Sequence, residues 1–245
     1  METVNGQWFM LGCSPDDPTC IHDTEELKNL IRRIGFLPLF SNEVSGFSVE
    51  ERTLASHWWT DDPSSDPWAW RQILSRDPEL AYGKFFGKKA GFVSKEWFPV
   101  FANFRRNGYD FDARCDDDLV PYRQKKLMEA FEPDEKMISR GLLSYEARQM
   151  AGFGKGGLKN FEGTLAELQM QTYLIMSDFR QKINRKGQAY GWHIAVLETP
   201  ETKWGYEHVT GAYREDPEQS RLQILTHLQR YFPAADGKMF RQLGI

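Results

Sequence analysis

Basic residues gather around a predicted turn near residue 185, and they are the clearest candidates for binding chemistry. Asn184 and Gly187 tolerate the backbone angles of a tight turn, and alternating strands flank them. Cations at the tip of a hairpin can contact backbone phosphates of DNA. The alternative is that the turn is basic only to remain solvated. The predicted contact comprises Arg180, Lys182, Arg185 and Lys186.

A second basic group precedes a predicted helix. Lys155, Lys159 and Asn160 lie where the backbone N–H groups of the helix N-terminus also favour a phosphate. The helix itself carries Glu162 and Glu167 and no arginine. Because guanine is read in the major groove by Arg or Lys, we do not expect sequence-specific recognition.

Aromatic and basic residues interleave between residues 82 and 106. Residues 71–106 contain 8 Lys and Arg against 3 Asp and Glu. Such a mixture can stack unpaired bases while its cations hold the backbone, and the candidates are Lys88, Lys89, Arg105 and Arg106. The alternative assigns Phe85, Phe92, Trp97, Phe98 and Phe101 to the core, and helical spacing over residues 94–104 favours it.

A cluster of tryptophans could line a pocket for a planar ligand. Asp61 and Asp62 lie within it and are weak candidates for a catalytic base. Packing tryptophans and loop-solvating aspartates are the alternative. The pocket candidates are His57, Trp58, Trp59, Trp68 and Trp70.

Other recognisable sites are missing from the sequence. Cys13, Cys20 and His22 match no zinc spacing, and there is no nucleophile motif, P-loop or dinucleotide fingerprint, so we expect neither a metal nor a cofactor. The three cysteines do not suggest a disulfide framework. Without a secretory or membrane-spanning segment, the expected location is the cytoplasm, with no membrane partner.

Composition describes an acidic protein with a basic part. The 245 residues are 40% hydrophobic and 14% aromatic, with a formal charge of -4. Residues 120–193, however, contain 12 Lys and Arg against 8 Asp and Glu. This distribution excludes a protein that coats nucleic acid by charge alone and is compatible with contact through one face.

Periodicity predicts the elements that position these residues. Leu158, Phe161, Leu165 and Leu168 recur at helical spacing, and the period changes to two after Thr172. A helix followed by a basic hairpin ends a winged-helix module. We predict an α-rich α+β fold with an aromatic-rich helical region (1–118), a winged-helix module (119–199) and a C-terminal helical extension (200–245).

Three stretches give the chain a family resemblance. They are residues 32–40, Phe86 to Arg106, and the winged-helix order over 122–197. In these the chain resembles the bacterial winged-helix DNA glycosylases of the AlkZ type, which excise alkylated bases. The resemblance implies a loop carrying Gln-apolar-Asp or Gln-apolar-Gln that activates water, but Pro38 and Phe40 occupy those places here. Neither side chain can polarise water.

The predicted function is therefore DNA binding without the family's chemistry. Gln169-Met170-Gln171 has the motif's letters in another element, and we expect it to bond locally or to face solvent. One alternative is a base-processing glycosylase using Asp61 or Asp62, and another is a module that binds a protein. The prediction requires the cations near Arg185 and those near Lys88 to converge on one groove.

Overall fold

A six-stranded antiparallel sheet forms the centre of the protein. The computed structural model describes residues 2–4, 7–132, 141–184 and 186–245, so Arg185 lies outside the described residues. The strands are β1 (Glu2–Val4), β2 (Gln7–Phe9), β3 (Phe36–Pro38), β4 (Leu80–Phe86), β5 (Lys89–Ser94), β6 (Leu142–Leu143), β7 (Ile175–Ile183) and β8 (Ala189–Glu198). The central sheet has the order β3-β5-β4-β7-β8-β6, while β1 and β2 pair separately.

Helices surround this sheet and confirm the predicted α+β class. They are α1 (Thr24–Ile34), α2 (Pro67–Ser75), α3 (Phe98–Arg106), α4 (Phe111–Asp116), α5 (Tyr122–Met128), α6 (Ser144–Met150), α7 (Phe161–Met170), α8 (Pro200–Trp204), α9 (Tyr206–Val209), α10 (Pro217–Tyr231) and α11 (Gly237–Gln242). Within the described ranges, none of them has the length and apolar character needed to cross a membrane.

Helix α1 begins and ends where its sequence predicts. The Asp23 carboxylate accepts from the N–H groups of Glu25 and Glu26, which would otherwise lack partners in the first turn. Gly35 follows the last turn with a φ of 84°, a conformation that glycine adopts without a steric penalty. The next residues form the edge strand β3, where Pro38 removes no ladder bond from the interior of the sheet.

The sequence did not predict the hairpin of β4 and β5. Gly87 and Lys88 both have positive φ and form its tight turn. Nearly every residue of the two strands is buried, because helices and loops cover both faces of the sheet. Alternation of polar and apolar residues is therefore weak, and the prediction of an aromatic-rich helical N-terminal region did not include these two strands.

Two further segments differ from their predicted structures. Ser48 Oγ accepts from the N–H of Glu51, as a capping box requires, yet only short 3₁₀ turns at Glu50–Arg52 and Ala55–His57 follow it. The acidic stretch 110–118, expected as a loop, contains α4 instead. Phe111 packs edge-on against Tyr173 with 5.1 Å between ring centroids, and this contact holds α4 to the core.

The C-terminal half carries the predicted helix and hairpin. Helix α7 starts at Phe161, three residues later than Leu158, and buries Leu165 and Leu168. Strands β7 and β8 form the hairpin, and the short strand β6 pairs with the far side of β8. Tyr82 of β4 pairs with Met176 of β7, so the two halves of the chain share one sheet.

The C-terminal helix α10 packs on α3. Its buried residues include Ile224, Leu225 and Leu228, whereas Leu222 is 43% exposed, contrary to the expected inward position. A spacing of three residues drifts around a helix of 3.6 residues per turn, which moves Leu222 off the buried stripe. Asn103 of α3 donates to the hydroxyl of Ser220 at 2.9 Å.

The N-terminal segment contains a disulfide. Cys13 and Cys20 are joined across a separation of seven residues, and Cys115 is a free thiol. Residue types and spacing did not predict this pair, although a single bridge is still not a framework of several disulfides. Two cysteines at this spacing specify neither a disulfide nor a metal site.

Candidate nucleic-acid interface

The two predicted groups of cations lie at opposite ends of the sheet. From the pair of Tyr82 and Met176, β4 continues towards the turn at Lys88, whereas β7 runs the other way towards the turn that contains Lys186. At about 3.3 Å per residue, these opposite directions separate Lys88 from Lys186 by roughly 50 Å along the strands. The expectation that both groups converge on one groove is wrong.

Lys88 and Lys89 have different neighbours from the hairpin cations. Both are exposed in the β4–β5 turn. Lys89 lines a groove of about 400 Å³ with Asn42, Glu43 and Leu243, close to the C-terminal end of the chain. The Glu43 carboxylate lies in the same groove as Lys89 and weakens the attraction of that lysine for a phosphate.

Arg106 is a core residue. Its side chain is 1% exposed, and it donates to Glu201 Oε1 at 2.5 Å, to the Tyr213 hydroxyl at 3.0 Å and to the Thr172 carbonyl at 2.8 Å. The guanidinium also lies 4.5 Å from the centroid of the Tyr173 ring. These contacts satisfy the buried charge and exclude Arg106 from contact with DNA.

Arg105 is occupied in a similar way. It donates to the Phe85 carbonyl, and its guanidinium lies 5.0 Å from the centroid of the Phe101 ring. Burial lowers the pKa of Arg105 to about 10. Sequence reasoning made both arginines candidates for phosphate contact, but distant segments cover the end of α3. Gly244 lies against Arg105, and the partners of Arg106 are Thr172, Glu201 and Tyr213.

The cations of the hairpin itself are partly neutralised at its base. Asp178 accepts from Arg76 and from Arg180, the latter at 2.6 Å. Partial burial works against ionisation, but these hydrogen bonds and that from the Phe179 N–H hold the pKa of Asp178 below its ordinary value. Arg180 therefore shares its charge with a carboxylate, whereas Lys186 in the turn is exposed.

The hairpin meets helix α6 at Tyr145. Lys182 Nζ lies 5.1 Å from the centroid of the Tyr145 ring, within the range of a cation–π contact. Tyr145 also lines a depression of about 230 Å³ that includes Arg148 and Lys155. Tyr145 thus contacts a cation of the hairpin and shares a depression with cations of α6 and of the following loop.

Lys159 and Asn160 extend this basic surface towards α5. Both are exposed, and Arg123 of α5 donates to the Lys159 carbonyl at 3.4 Å. Asn160 precedes α7 in a left-handed conformation with a φ of 68°. A Cβ at Gly163 would lie 2.4 Å from the Asn160 side-chain oxygen, so glycine at that position leaves room for the amide.

Sequence reasoning missed Tyr145, Arg148 and Arg123. Tyr145 and Arg148 are three positions apart on α6 and therefore lie on the same helix face. That spacing could have identified the two residues as a possible binding surface. The surface formed by Arg123, Tyr145, Arg148, Lys155, Lys159, Lys182 and Lys186 is called the hairpin face below.

The predicted tryptophan pocket is a packed cluster. Trp70 is fully buried, Trp58 is 5% exposed, and both place their ring nitrogens in hydrogen bonds. Trp68 stacks beneath Arg71 at 3.6 Å, and Trp59 is half-exposed at the edge of the cluster. His57 sits in a 3₁₀ turn beside Trp58. The interior of the cluster is filled by its own rings.

Asp61 and Asp62 lie on an exposed loop. Asp62 accepts from the hydroxyl and N–H of Ser64 and from the hydroxyl of Ser65. The bond from the Ser64 hydroxyl, followed by that from its N–H, lowers the pKa of Asp62 below the ordinary value. A general base at neutral pH requires the opposite shift, so the arrangement favours a structural role.

A separate cavity of about 480 Å³ is lined by carboxylates and rings. It lies between α4, the end of α5, and helices α8 and α9, and its carboxylates belong to Asp110, Asp112, Glu132 and Glu201. Tyr206 donates to Asp110 at 2.6 Å. This acidic lining repels phosphate. In the described part of the chain, no three His, Cys, Asp or Glu side chains are grouped to hold a metal.

A model of the AlkZ-related family matches residues 21–244. The chain belongs to this family. Membership confirms the resemblance seen in the sequence and relates the protein to DNA glycosylases and DNA repair. No curated protein and no solved structure matches the chain.

In this AlkZ-related chain, the segment after α1, residues 36–40, is apolar and packed. Pro38 ends the edge strand β3. The Phe40 ring lies 5.7 Å from that of Trp58 and 6.3 Å from that of Trp68, measured between centroids. Glu50, the carboxylate beside this loop, is buried and accepts from the N–H groups of Leu11 and Ser41.

Gln169 of the AlkZ-related chain was expected to form a local hydrogen bond or to face solvent, and it does neither. Its side chain is fully buried, and Oε1 accepts from the N–H of Lys84 at 2.8 Å. The bond joins the end of α7 to β4, 85 residues away. Gln169 therefore connects the two halves of the protein.

Proposed function

We propose that this AlkZ-related protein binds duplex DNA through a winged-helix unit and does not itself excise bases. The unit comprises α5, β6, α6, α7, β7 and β8. Its order supports this assignment, since three helices precede a hairpin and β6 pairs with the hairpin's second strand. In a helix-turn-helix pair of this kind α7 would be the second helix, but six of its ten residues are buried, so we assign the DNA contacts to the loop before it and to the hairpin.

The arrangement around Tyr145 carries the proposal. Lys182 of the hairpin contacts the Tyr145 ring, and Tyr145 lines one depression together with Arg148 and the loop residue Lys155. Cations from several segments on one surface are what a phosphate backbone requires. The acidic residues of α7, Glu162 and Glu167, favour phosphate contact by the flanking lysines over base recognition by the helix.

The residues that follow α1 are the reason for proposing that the protein does not excise bases. The side chains of Pro38 and Phe40 have no donor or acceptor with which to position water. The Asp62 carboxylate accepts hydrogen bonds from Ser64 and Ser65 of its own loop, and these bonds lower its pKa. Incubation of the protein with alkylated duplex should release no base. Release that disappears in Asp61→Asn or Asp62→Asn would instead establish the glycosylase alternative.

A pair of matched charge reversals tests DNA binding. Lys155→Glu/Lys182→Glu alters the hairpin face, and Lys88→Glu/Lys89→Glu makes the same change in net charge at the other end of the sheet. Because each phosphate contact contributes about -0.9 to the slope of log K against log salt, the first variant should reduce that slope by roughly 2. The second should leave it unchanged.

Fluorescence anisotropy with a labelled duplex across a salt series measures both effects. Equal losses in the two variants would show that binding depends only on net charge, and the proposed interface would then be wrong. Binding by neither the wild type nor the variants at low salt would reject DNA as the partner.

A further inference from the structure

The hairpin carries large side chains that are exposed to solvent. Trp192 of β8 is 92% exposed, and Tyr190 and Ile183 are 50% and 64% exposed. Tryptophan offers more apolar area to bury than other side chains. An almost fully exposed tryptophan is therefore available to pack against a binding partner. A regular strand would place Trp192 and Val196 on the same face, yet Val196 is buried and Trp192 is not.

A β-bulge accounts for the position of Trp192. Arg180 pairs with Ile194, but Lys182 pairs with Tyr190, so β8 carries two more residues than β7 across this interval. Gly191 has a φ of 75°, and its carbonyl accepts from the Gln181 amide at 2.8 Å. Bulges redirect side chains, and this hydrogen bond fixes the backbone next to Trp192.

The surroundings of Trp192 are basic and aromatic. Tyr190 lies directly across the hairpin from Lys182, and Lys186 is exposed in the turn. Aromatic side chains next to cations bind nucleic acid through stacking on bases and attraction to phosphates. Stacking requires a base whose face is accessible, and paired bases inside a duplex do not offer one.

We propose that Trp192 stacks on an unpaired base at an interruption of the duplex, while Lys182 and Lys186 hold the adjacent phosphates. The proposal rests on the proposed function and adds to it a preference for DNA with an unpaired base. The charge of the two lysines favours DNA over an apolar protein surface as the occupant.

Three DNA molecules and two variants test this. The DNA molecules are an intact duplex, the same duplex with one extra unpaired base, and the isolated strand. The wild type should bind the interrupted duplex more tightly than the intact one, on the order of tenfold, as stacking of one base on an aromatic ring provides. Trp192→Ala should abolish the difference, and Trp192→Phe should retain part of it.

The controls separate this inference from the proposed function. Because Trp192 is exposed, neither variant should alter the circular dichroism spectrum or the melting temperature. If Trp192→Ala binds the intact duplex normally and also keeps the preference, the stacking role is wrong while DNA binding stands. Equal weakening on both duplexes would make Trp192 a general contact and would also overturn the inference. If the wild type binds none of the three, the proposed function itself fails.

Discussion

Arg106 Nη1 and Glu201 Oε1 lie 2.5 Å apart and join helix α3 to helix α8. The arginine is 1% exposed, whereas the carboxylate is 27% exposed. The same guanidinium contacts Thr172 just before β7. One buried cation thus connects the N-terminal half, the hairpin and the C-terminal extension.

Removal of this cation should destabilise the whole protein. We expect Arg106→Met to lower the free energy of unfolding by about 3–5 kcal/mol, because it removes the buried cation that pairs with Glu201 and donates to Thr172 and Tyr213. Glu201→Gln should also destabilise the protein, because it leaves the buried guanidinium without its counter-ion. The double variant should lose less than the sum of the single ones. Denaturant unfolding followed by circular dichroism measures each value. Additive losses would show that the two side chains do not interact.

A more exposed ion pair provides the control for the Arg106 and Glu201 variants. Lys126 and Glu129 lie three residues apart at the end of α5, with 2.6 Å between Nζ and Oε2. Because solvent screens such pairs, Lys126→Met should leave the unfolding midpoint unchanged within error.

Gln169 offers a second test of the connection between the halves. Gln169→Met would leave the buried N–H of Lys84 without an acceptor, and we expect a loss of about 1–3 kcal/mol in unfolding free energy. Gln171 is the matched control, since its Oε1 makes no hydrogen bond within the described residues. Gln171→Met should change stability little. A loss as large as that of Gln169→Met would argue against a specific role for the Lys84 bond.

Lys203 should make stability depend on pH in the alkaline range. Its Nζ donates to the carbonyls of Ser75 at 3.0 Å and Leu80 at 2.7 Å, and burial lowers the pKa from 10.5 to about 8. Below pH 8 both folded and unfolded states hold the proton, and the folded state bears the cost of the buried charge. Between pH 8 and 10.5 only the unfolded state holds it, so a rise in pH favours folding.

The comparison with Lys203→Met isolates this effect. The stability of the wild type relative to the variant should increase between pH 8 and pH 10, by up to about 3 kcal/mol. Lys88→Met replaces an exposed lysine, and the difference in unfolding free energy between this variant and the wild type should not change with pH. A constant difference between wild type and Lys203→Met would mean that the lysine does not lose its proton in this range.

Local signals in the sequence identified elements that depend on short-range chemistry. The carboxylates of Asp23 and Asp66 cap α1 and α2 as predicted, because a cap needs only residues two or three positions away. The hairpin of β7 and β8 also followed from alternation and a turn. The strands β4 and β5 escaped detection since they are buried on both faces and do not alternate.

The candidate interface was only partly predictable. Lys155, Lys159 and Lys182 are exposed as expected, whereas Arg105 and Arg106 are covered by segments distant in the chain. The direction in which a strand enters a sheet is a long-range property. The antiparallel pairing of β4 and β7, which separates Lys88 from the hairpin, could therefore not be read from residue types.

The pairing of Tyr82 with Met176 also determines how the molecule can be divided. A fragment ending near residue 118 would leave the side of β4 without a neighbour, and the complementary fragment would leave β7 in the same state. Unprotected strands of this kind recruit other chains and self-associate. Isolated halves are thus poor reagents for binding studies, because β4 and β7 shield each other only when both halves are present.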